Sequence, residues 1–373
     1  MDVSEEEETY AQRLHVKPVE PKIFKKVFDE VDSFKRKFPK HLSSLDKRIS
    51  KYCHRNAETS RDRNLKQKVL DRLKRVVREL FPEGRLIPGG STVTRLSVKR
   101  SDYDLCLYVP NKAGDYRGDR QFVLSTLQHL YDELIVNPPR MLAFCRLIGS
   151  TVPIIRLYLS DDYHDMELDI NCNVSYQFHT NHLVRHYVHF DERVKPLVLS
   201  IKKWAKAVNI LDSQCGRLNS FSFVMMTIHF LQSVCSPPIL PNLSELFPKS
   251  FDPSIDLVFA KKRSHRHCVP LRKKLVKNRR SLGELFLAFI AYFSEFDWDK
   301  DAIVIRSGGL TQRNTPGDEE SCVMCIEEPY GHFSAARTVW DLTERSTIEE
   351  TFRSHAETIF KKGGKELSKL LKM

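Results

Sequence analysis

The chain has no uninterrupted apolar run of the length a bilayer demands, about 20 residues, which excludes a helical membrane span. It has no cysteine framework either. Its nine cysteines are odd in number and irregularly spaced. Most, such as Cys106, Cys145, Cys172 and Cys235, sit inside apolar runs, where cysteine behaves as a small hydrophobe. A chain kept reduced inside a cell is the expectation. There is no internal repeat, which excludes solenoids and propellers, and no low-complexity stretch beyond an acidic start, Met1 to Glu8. That start lacks an apolar centre, so no secretory signal is expected in it, and residues 1–20 read as a disordered acidic tail. No membrane partner is expected.

Acidic excess is also missing. Lys and Arg number 60 against 48 Asp and Glu, a net charge of +12 over 373 residues. The basic residues gather at Lys35–Lys51, Lys261–Arg280 and Lys361–Lys372. A polyanion such as RNA fits, because each neutralised phosphate releases counterions. Solvated helix faces fit as well, and the Lys261 cluster also fits a nuclear-import signal. That cluster has almost no aromatic residues, so it could track an RNA backbone but not stack on bases. No RNA-binding module of the RRM, KH or zinc-finger kind is present.

What is present is a small α/β pattern followed by a helical one. Helices are expected over Phe24–Phe38 and Leu45–Tyr52, and another where Leu65, Val69, Leu70, Leu73, Val76, Val77 and Leu80 recur at helical spacing until Pro82-Glu83-Gly84 stops it. Strands are expected at Arg85–Pro88, Tyr103–Val109, Leu142–Gly149 and Val152–Ser160, with a helix over Arg120–Leu134 and a turn at Asp161–Asp165. Met166–Asn171 alternates strictly: Met166, Leu168 and Ile170 face a core, while Glu167, Asp169 and Asn171 face the other way. Beyond Val188 helices dominate, at Val194–Val208, Ser220–Val234 and Ser281–Phe293, with short strands at Asp299–Arg306 and Cys322–Glu327. The expected division is a tail at 1–20, helices at 21–64 packing on the second domain, an α/β domain at 65–188, a helical domain at 189–360 and a basic tail at 361–373.

Chemistry concentrates in Gly89-Gly90-Ser91 and in Ser101-Asp102-Tyr103-Asp104. Alternate residues of a strand share a face, so Asp102 and Asp104 converge, and Asp169 comes from the polar face of another strand. An isolated Asp-x-Asp is usually a turn at the start of a strand; the glycine turn upstream and Asp169 tilt the reading to divalent metal plus phosphate. Three carboxylates can hold two Mg²⁺ (or Mn²⁺) ions for an in-line phosphoryl displacement. One ion, on all three aspartates, would lower the pKa of an RNA 3′-hydroxyl; the other, on Asp102 and Asp104, would hold the triphosphate. The N–H groups of Gly90 and Ser91 and the Ser91 hydroxyl would cradle its terminal phosphates.

The Gly-Ser turn, the aspartate strand and the later Asp169 resemble the polymerase-β-type nucleotidyltransferase superfamily. Asp191–Lys206, Leu218-Asn219-Ser220-Phe221-Ser222, Pro237–Leu243, Ser281–Leu285 and Ile326-Glu327-Glu328-Pro329-Tyr330 are similar to segments of the noncanonical poly(A) polymerases and terminal uridylyltransferases, nearest the germline-development type. The likeness runs from Phe81 to Val339, with the motifs in the family's order. It implies an α+β fold: a polymerase-β-like domain with a mixed sheet, a mostly helical central domain, and a cleft between them. It implies adenylate addition from ATP to mRNA 3′ ends, recruitment and processivity supplied by an RNA-binding protein partner, and a cytoplasmic place of action, with the nucleus as alternative.

By the same likeness Asn181 matches an asparagine near sugar and triphosphate, Lys202 and Lys206 match lysines reaching the triphosphate, and Ser220 matches a phosphate-contacting serine. Phe221 matches a base-stacking position, usually Tyr, and keeps the ring without the hydroxyl. Phe333 stands where UTP-selective members carry His, and Gly331 replaces an acidic residue seen in uridylyl enzymes, which favours ATP; His332 lies one position away. Glu328 could touch the base edge, or belong to an exposed acidic pair before Pro329. A terminal uridylyltransferase, an inactive scaffold and a primer-independent oligonucleotide synthetase remain as alternatives. His179, His182, His186 and His189 fall at helical spacing without an evident third ligand, so a partly buried, anion-facing helix is preferred to a metal stripe. Cys322 and Cys325 with His265, His267 and Cys268 make only a weak zinc pattern.

Overall fold

The computed structural model describes residues 16–110, 119–160, 163, 166–257, 276–313, 322–331 and 333–363. The acidic start, the turn at 161–165 apart from Tyr163, most of the Lys261–Arg280 cluster, His265, His267, Cys268, His332 and most of the basic tail lie outside the described residues. The chain forms two compact units, one of Met1–Arg55, His189–Asp252 and Ser264–Met373, the other of Asn56–Val188 and Pro253–Arg263.

Helices α1 (Pro21–Lys37) and α2 (Pro39–Asn56) come first. Helix α3 (Ser60–Leu80) begins five residues before the apolar periodicity at Leu65, because Thr59 and Asp62 close a capping box: Thr59 N–H donates to Asp62 at 2.7 Å and Asp62 N–H to Thr59 Oγ1 at 3.2 Å. The change between units therefore falls at Asn56 and not at residue 65. Strand β1 (Arg85–Pro88) leads into a five-residue helix, α4 (Gly90–Thr94), where a simple turn was expected. Then follow β2 (Tyr103–Tyr108), α5 (Arg120–Val136), β3 (Leu142–Ile148), β4 (Ile154–Leu159), β5 (Glu167–Cys172) and α6 (Tyr176–Phe190).

The five strands make one mixed sheet in the order β1-β2-β5-β4-β3. The β2–β5 pair is parallel and the others antiparallel. Alternation splits the sheet into two faces. Leu105, Leu107, Ile155, Leu157, Leu168 and Ile170 are fully buried on one, where α5 packs on β3, β4 and β5. Asp104, Asp169, Arg156, Tyr158, Phe144 and Arg146 occupy the other.

The other unit continues with α7 (Val194–Ala207), α8 (Ser220–His229), α9 (Leu282–Ser294), the hairpin β6 (Asp301–Val304) with β7 (Gly309–Gln312), and α10 (Leu342–Lys362). Helix α9, held by a second capping box from Ser281 and Glu284, is apolar all round and buried all round. It packs on α1, α7 and α10, with Trp204, Phe230, Phe286, Phe289, Phe293 and Phe352 as the aromatic centre.

Three expectations are corrected here. Ser220–Val234 is not one uniform helix, since after His229 the backbone widens into a π turn, Phe230–Val234. Cys322–Glu327 is no strand and contributes only isolated bridges, Ile303 with Ile326 and Glu327 with Ser334. Cys322 and Cys325 are joined by a disulfide, against both the reduced reading and the zinc pattern, while Cys53, Cys106, Cys145, Cys172, Cys215 and Cys235 are free thiols. No helix among the described residues is long and apolar enough to cross a membrane.

Candidate active site

In the sheet-bearing unit, parallel pairing sets Asp104 directly against Asp169. Asp102 lies one pleat earlier and is exposed, Asp104 half-buried. The glycine turn is tied to this strand by its backbone, with Gly89 N–H donating to the Asp104 carbonyl at 2.9 Å. Gly90 stands at φ +55°, and a Cβ there would fall 1.9 Å from Asp104 Oδ2. Only glycine fits, for both reasons. Helix α4 starts at Gly90, so the backbone N–H groups of Gly90 and Ser91 are first-turn donors without intrahelical acceptors. Asn181, on α6, comes to the same turn, its amide nitrogen 3.4 Å from where a Cβ on Gly89 would be. Beside it Asn171 and Gln177 exchange amide hydrogen bonds of 3.1 and 3.2 Å.

Asp169 is held by a partner the sequence did not announce. Arg156, its cross-strand neighbour on β4, donates from Nε to Oδ1 and from a terminal nitrogen to Oδ2, both at 2.8 Å. That bond raises the guanidinium pKa further above its usual value. Among the described residues no three carboxylate, imidazole or thiol side chains are gathered as a cation cluster. The donor set suits a hard divalent cation in kind, being carboxylate oxygens, those of Asp104 and Asp169 from one sheet face and those of Asp102 from the residue just before β2. It is not yet convergent, because Asp169 has both oxygens on Arg156.

A second such residue is Lys66. It is 3% exposed, its ammonium donates to Thr92 at 3.0 Å, Ser97 at 3.2 Å and Ser101 at 3.3 Å, and it pairs with Glu58 at 3.0 Å. It also lies over the Tyr103 ring, 5.4 Å from its centroid. One buried cation thus joins α3 to the glycine-turn helix and to the residue before Asp102. The signal was available: Lys66 falls on the stripe of Val69, Leu70, Leu73 and Val77, where a lysine must find buried acceptors.

The remaining candidates belong to the helical unit. Lys202 and Lys206 share one face of α7, Lys202 half-buried and Lys206 exposed. Asn219 caps α8, accepting from Ser222 N–H at 2.8 Å and donating to the Ala335 carbonyl at 2.9 Å. Ser220 is exposed on the first turn and Phe221 half-buried. The pair before Pro329 is not exposed. Glu327 accepts from the N–H groups of Ile305 and Arg306, and burial raises its pKa. Glu328 is 8% exposed and accepts from Arg337 at 3.0 Å, so its carboxylate serves this loop. A Cβ at Gly331 would sit 2.8 Å from Glu328 Cγ, and Phe333 is half-buried. The histidine stripe is an ordinary packed face: His186 is buried and donates to the His182 carbonyl at 2.7 Å.

This sheet, with its order and its paired carboxylates, is the polymerase-β-like nucleotidyltransferase fold, and solved structures match it over most of their length. The GLD-2/RNP-8 complex gives a TM-score of 0.74 at 28% identity, covering 89% of this chain and 98% of that one. The Cid1 poly(U) polymerase bound to MgGTP gives 0.67 at 22% identity, covering 85% and 94%. Residues 45–189 match the family model for the central palm domain of mitochondrial-like poly(A) RNA polymerase, and residues 281–332 that of the Cid1 family poly A polymerase.

The poly(A) RNA polymerase GLD2-B of Xenopus laevis is 33% identical over 294 residues, 78% of this chain and 55% of the relative. Its Homo sapiens counterpart GLD2 is 32% identical over 295 residues, 78% and 59%. Two segments of the chain, residues 45–189 and 281–332, thus carry domains of the noncanonical poly(A) polymerase and terminal nucleotidyltransferase family. The chain spans a little over half the length of these curated relatives.

Proposed function

We propose that this protein is a template-independent nucleotidyltransferase that adds AMP from ATP to RNA 3′ ends, in cytoplasmic polyadenylation of mRNA. The observation that carries it is Asp104 opposite Asp169 with Gly90 pressed against the Asp104 carboxylate, which supports a phosphate turn and a carboxylate pair built as one piece. Asp102, Asp104 and Asp169 would hold divalent metal, two Mg²⁺ or Mn²⁺ ions, which when bound supply charge neutralisation on the triphosphate and a lower pKa for the attacking hydroxyl. Gly90 and Ser91 present N–H donors to the terminal phosphates. Asn181 orients the sugar, Lys202, Lys206 and Ser220 neutralise and bond phosphate oxygens, and Phe221 offers a ring to the base. The carboxylate of Asp169 must exchange Arg156 for metal before the set is complete. Phe333 and Gly331 support ATP over UTP.

RNP-8 and GLD-3 are named as the partners in two GLD-2 complexes of this fold, which supports a protein partner here that recruits RNA. Primer extension with each nucleoside triphosphate in turn tests the reading. ATP should be incorporated best, only with divalent metal and only with primer present, and Asp102→Ala/Asp104→Ala should lower the rate by at least about a thousandfold. Preferential use of UTP, extension without primer, or no extension at all would each reject it.

A further inference from the structure

The open face of the sheet carries a file of charged side chains running straight across four strands. Cross-strand register places Arg146 of β3 opposite Arg156 of β4, Arg156 opposite Asp169 of β5, and Asp169 opposite Asp104 of β2. The next row holds Phe144 opposite Tyr158. Their rings are stacked, with centroids 4.1 Å apart and planes 14° apart, and the Arg146 guanidinium lies over both, 5.5 Å from one centroid and 6.0 Å from the other. Phe144 is 47% exposed, and Arg146 is exposed with no ion-pair partner among the described residues. With strands about 4.8 Å apart, the file extends roughly 14 Å from Asp104.

We propose that Phe144, Tyr158 and Arg146 form a stacking and phosphate-binding platform for the single-stranded RNA just upstream of its 3′ end. The inference rests on the polymerase reading above and names where that substrate lies. Sequence-independent binding of single strands needs flat rings for bases and cations for the backbone, and both stand here on the face that carries Asp104 and Asp169. An aromatic pair inside a sheet edge could serve stability alone. Its open ring, the exposed guanidinium over it and its continuity with the carboxylates instead favour an anionic, base-bearing chain over a protein segment.

Affinity of the full chain for a 5′-labelled oligo(A) 15-mer, measured by fluorescence anisotropy in EDTA without nucleotide, tests this apart from catalysis. Phe144→Leu should weaken binding about tenfold. Arg146→Gln should weaken it several-fold and reduce the steepness of log Kd against log salt by about 0.7. On the unaltered protein, RNA carrying 4-thiouridine near its 3′ end should crosslink to the β3–β4 strands, a readout independent of how well any variant folds. Affinity unchanged in both variants, or crosslinks confined to other segments, would overturn the proposal, and a face that serves a protein partner predicts that result. Loss of RNA binding in Phe144→Leu by a chain that extends no primer would keep the platform and reject the polymerase. Normal RNA binding by Phe144→Leu in an active enzyme would do the reverse.

Discussion

Gly90 and Lys66 hold the carboxylate strand from two sides. A methyl group at Gly90 collides with Asp104 Oδ2 and adds the strain of a left-handed backbone, about 1 kcal/mol. Gly90→Ala should therefore lower extension at least tenfold while the melting temperature drops only a few degrees; activity within twofold of the parent would show that the turn does not set Asp104. Lys66→Met strands Glu58, whose side chain is 11% exposed, and breaking a buried pair from one side costs about 3 kcal/mol. Urea unfolding should show that loss, and Lys66→Met/Glu58→Leu should recover part of it; simple additivity of the two changes would contradict the coupling. Of these two residues only Gly90 was singled out from the sequence, although the signal for Lys66 was there. A glycine pair just after a strand advertises a backbone requirement, whereas a buried lysine becomes visible only once its stripe on α3 is drawn.

The strands bearing the aspartates were read correctly because strict alternation is a local signal: Met166 to Asn171 declares its two faces without help from the fold. Arg156 was not, since its meaning depends on the register between β4 and β5, which no local pattern encodes. Helix α8 hid a different surprise. His229 at its end is fully buried, shares a hydrogen bond of 2.9 Å with Tyr292 and is followed by the π turn. Burial lowers its pKa from 6.5 to about 3. Between those values the unfolded chain binds a proton that the folded one refuses, so this group costs nothing above pH 6.5 and destabilises increasingly as pH falls below it. At pH 5 the penalty is about 2 kcal/mol. His229→Gln should accordingly narrow the gap between stabilities measured at pH 7.5 and pH 5. An equal gap in parent and variant would mean that the imidazole does not stay neutral inside.

Across the whole molecule the bulk signs were plain: a net charge of +12 and a strand-rich then helix-rich order of elements. Strand β6 was read as well, at Asp299–Arg306, whereas its partner β7 and the Cys322–Cys325 pair were not, because pairings of short irregular segments depend on the packed context around them. With its basic residues gathered in segments poor in aromatics and no recognised RNA module, the isolated chain should hold RNA loosely. Raising KCl from about 50 to 200 mM should weaken oligo(A) binding severely, and in the presence of a heparin trap each encounter should add only a few adenylates. Long tails made in one encounter would show a hold on RNA that this charge distribution does not supply. The parallel pairing of β2 with β5 adds a constraint in time. Asp104 and Asp169 are about 65 residues apart along the chain, and such a long-range contact closes late. During synthesis the ribosome must release β5 before either carboxylate has its neighbour, so a nascent chain halted at Ser160 would carry the phosphate turn seated on Asp104 while the opposing carboxylate, Asp169, was still to come.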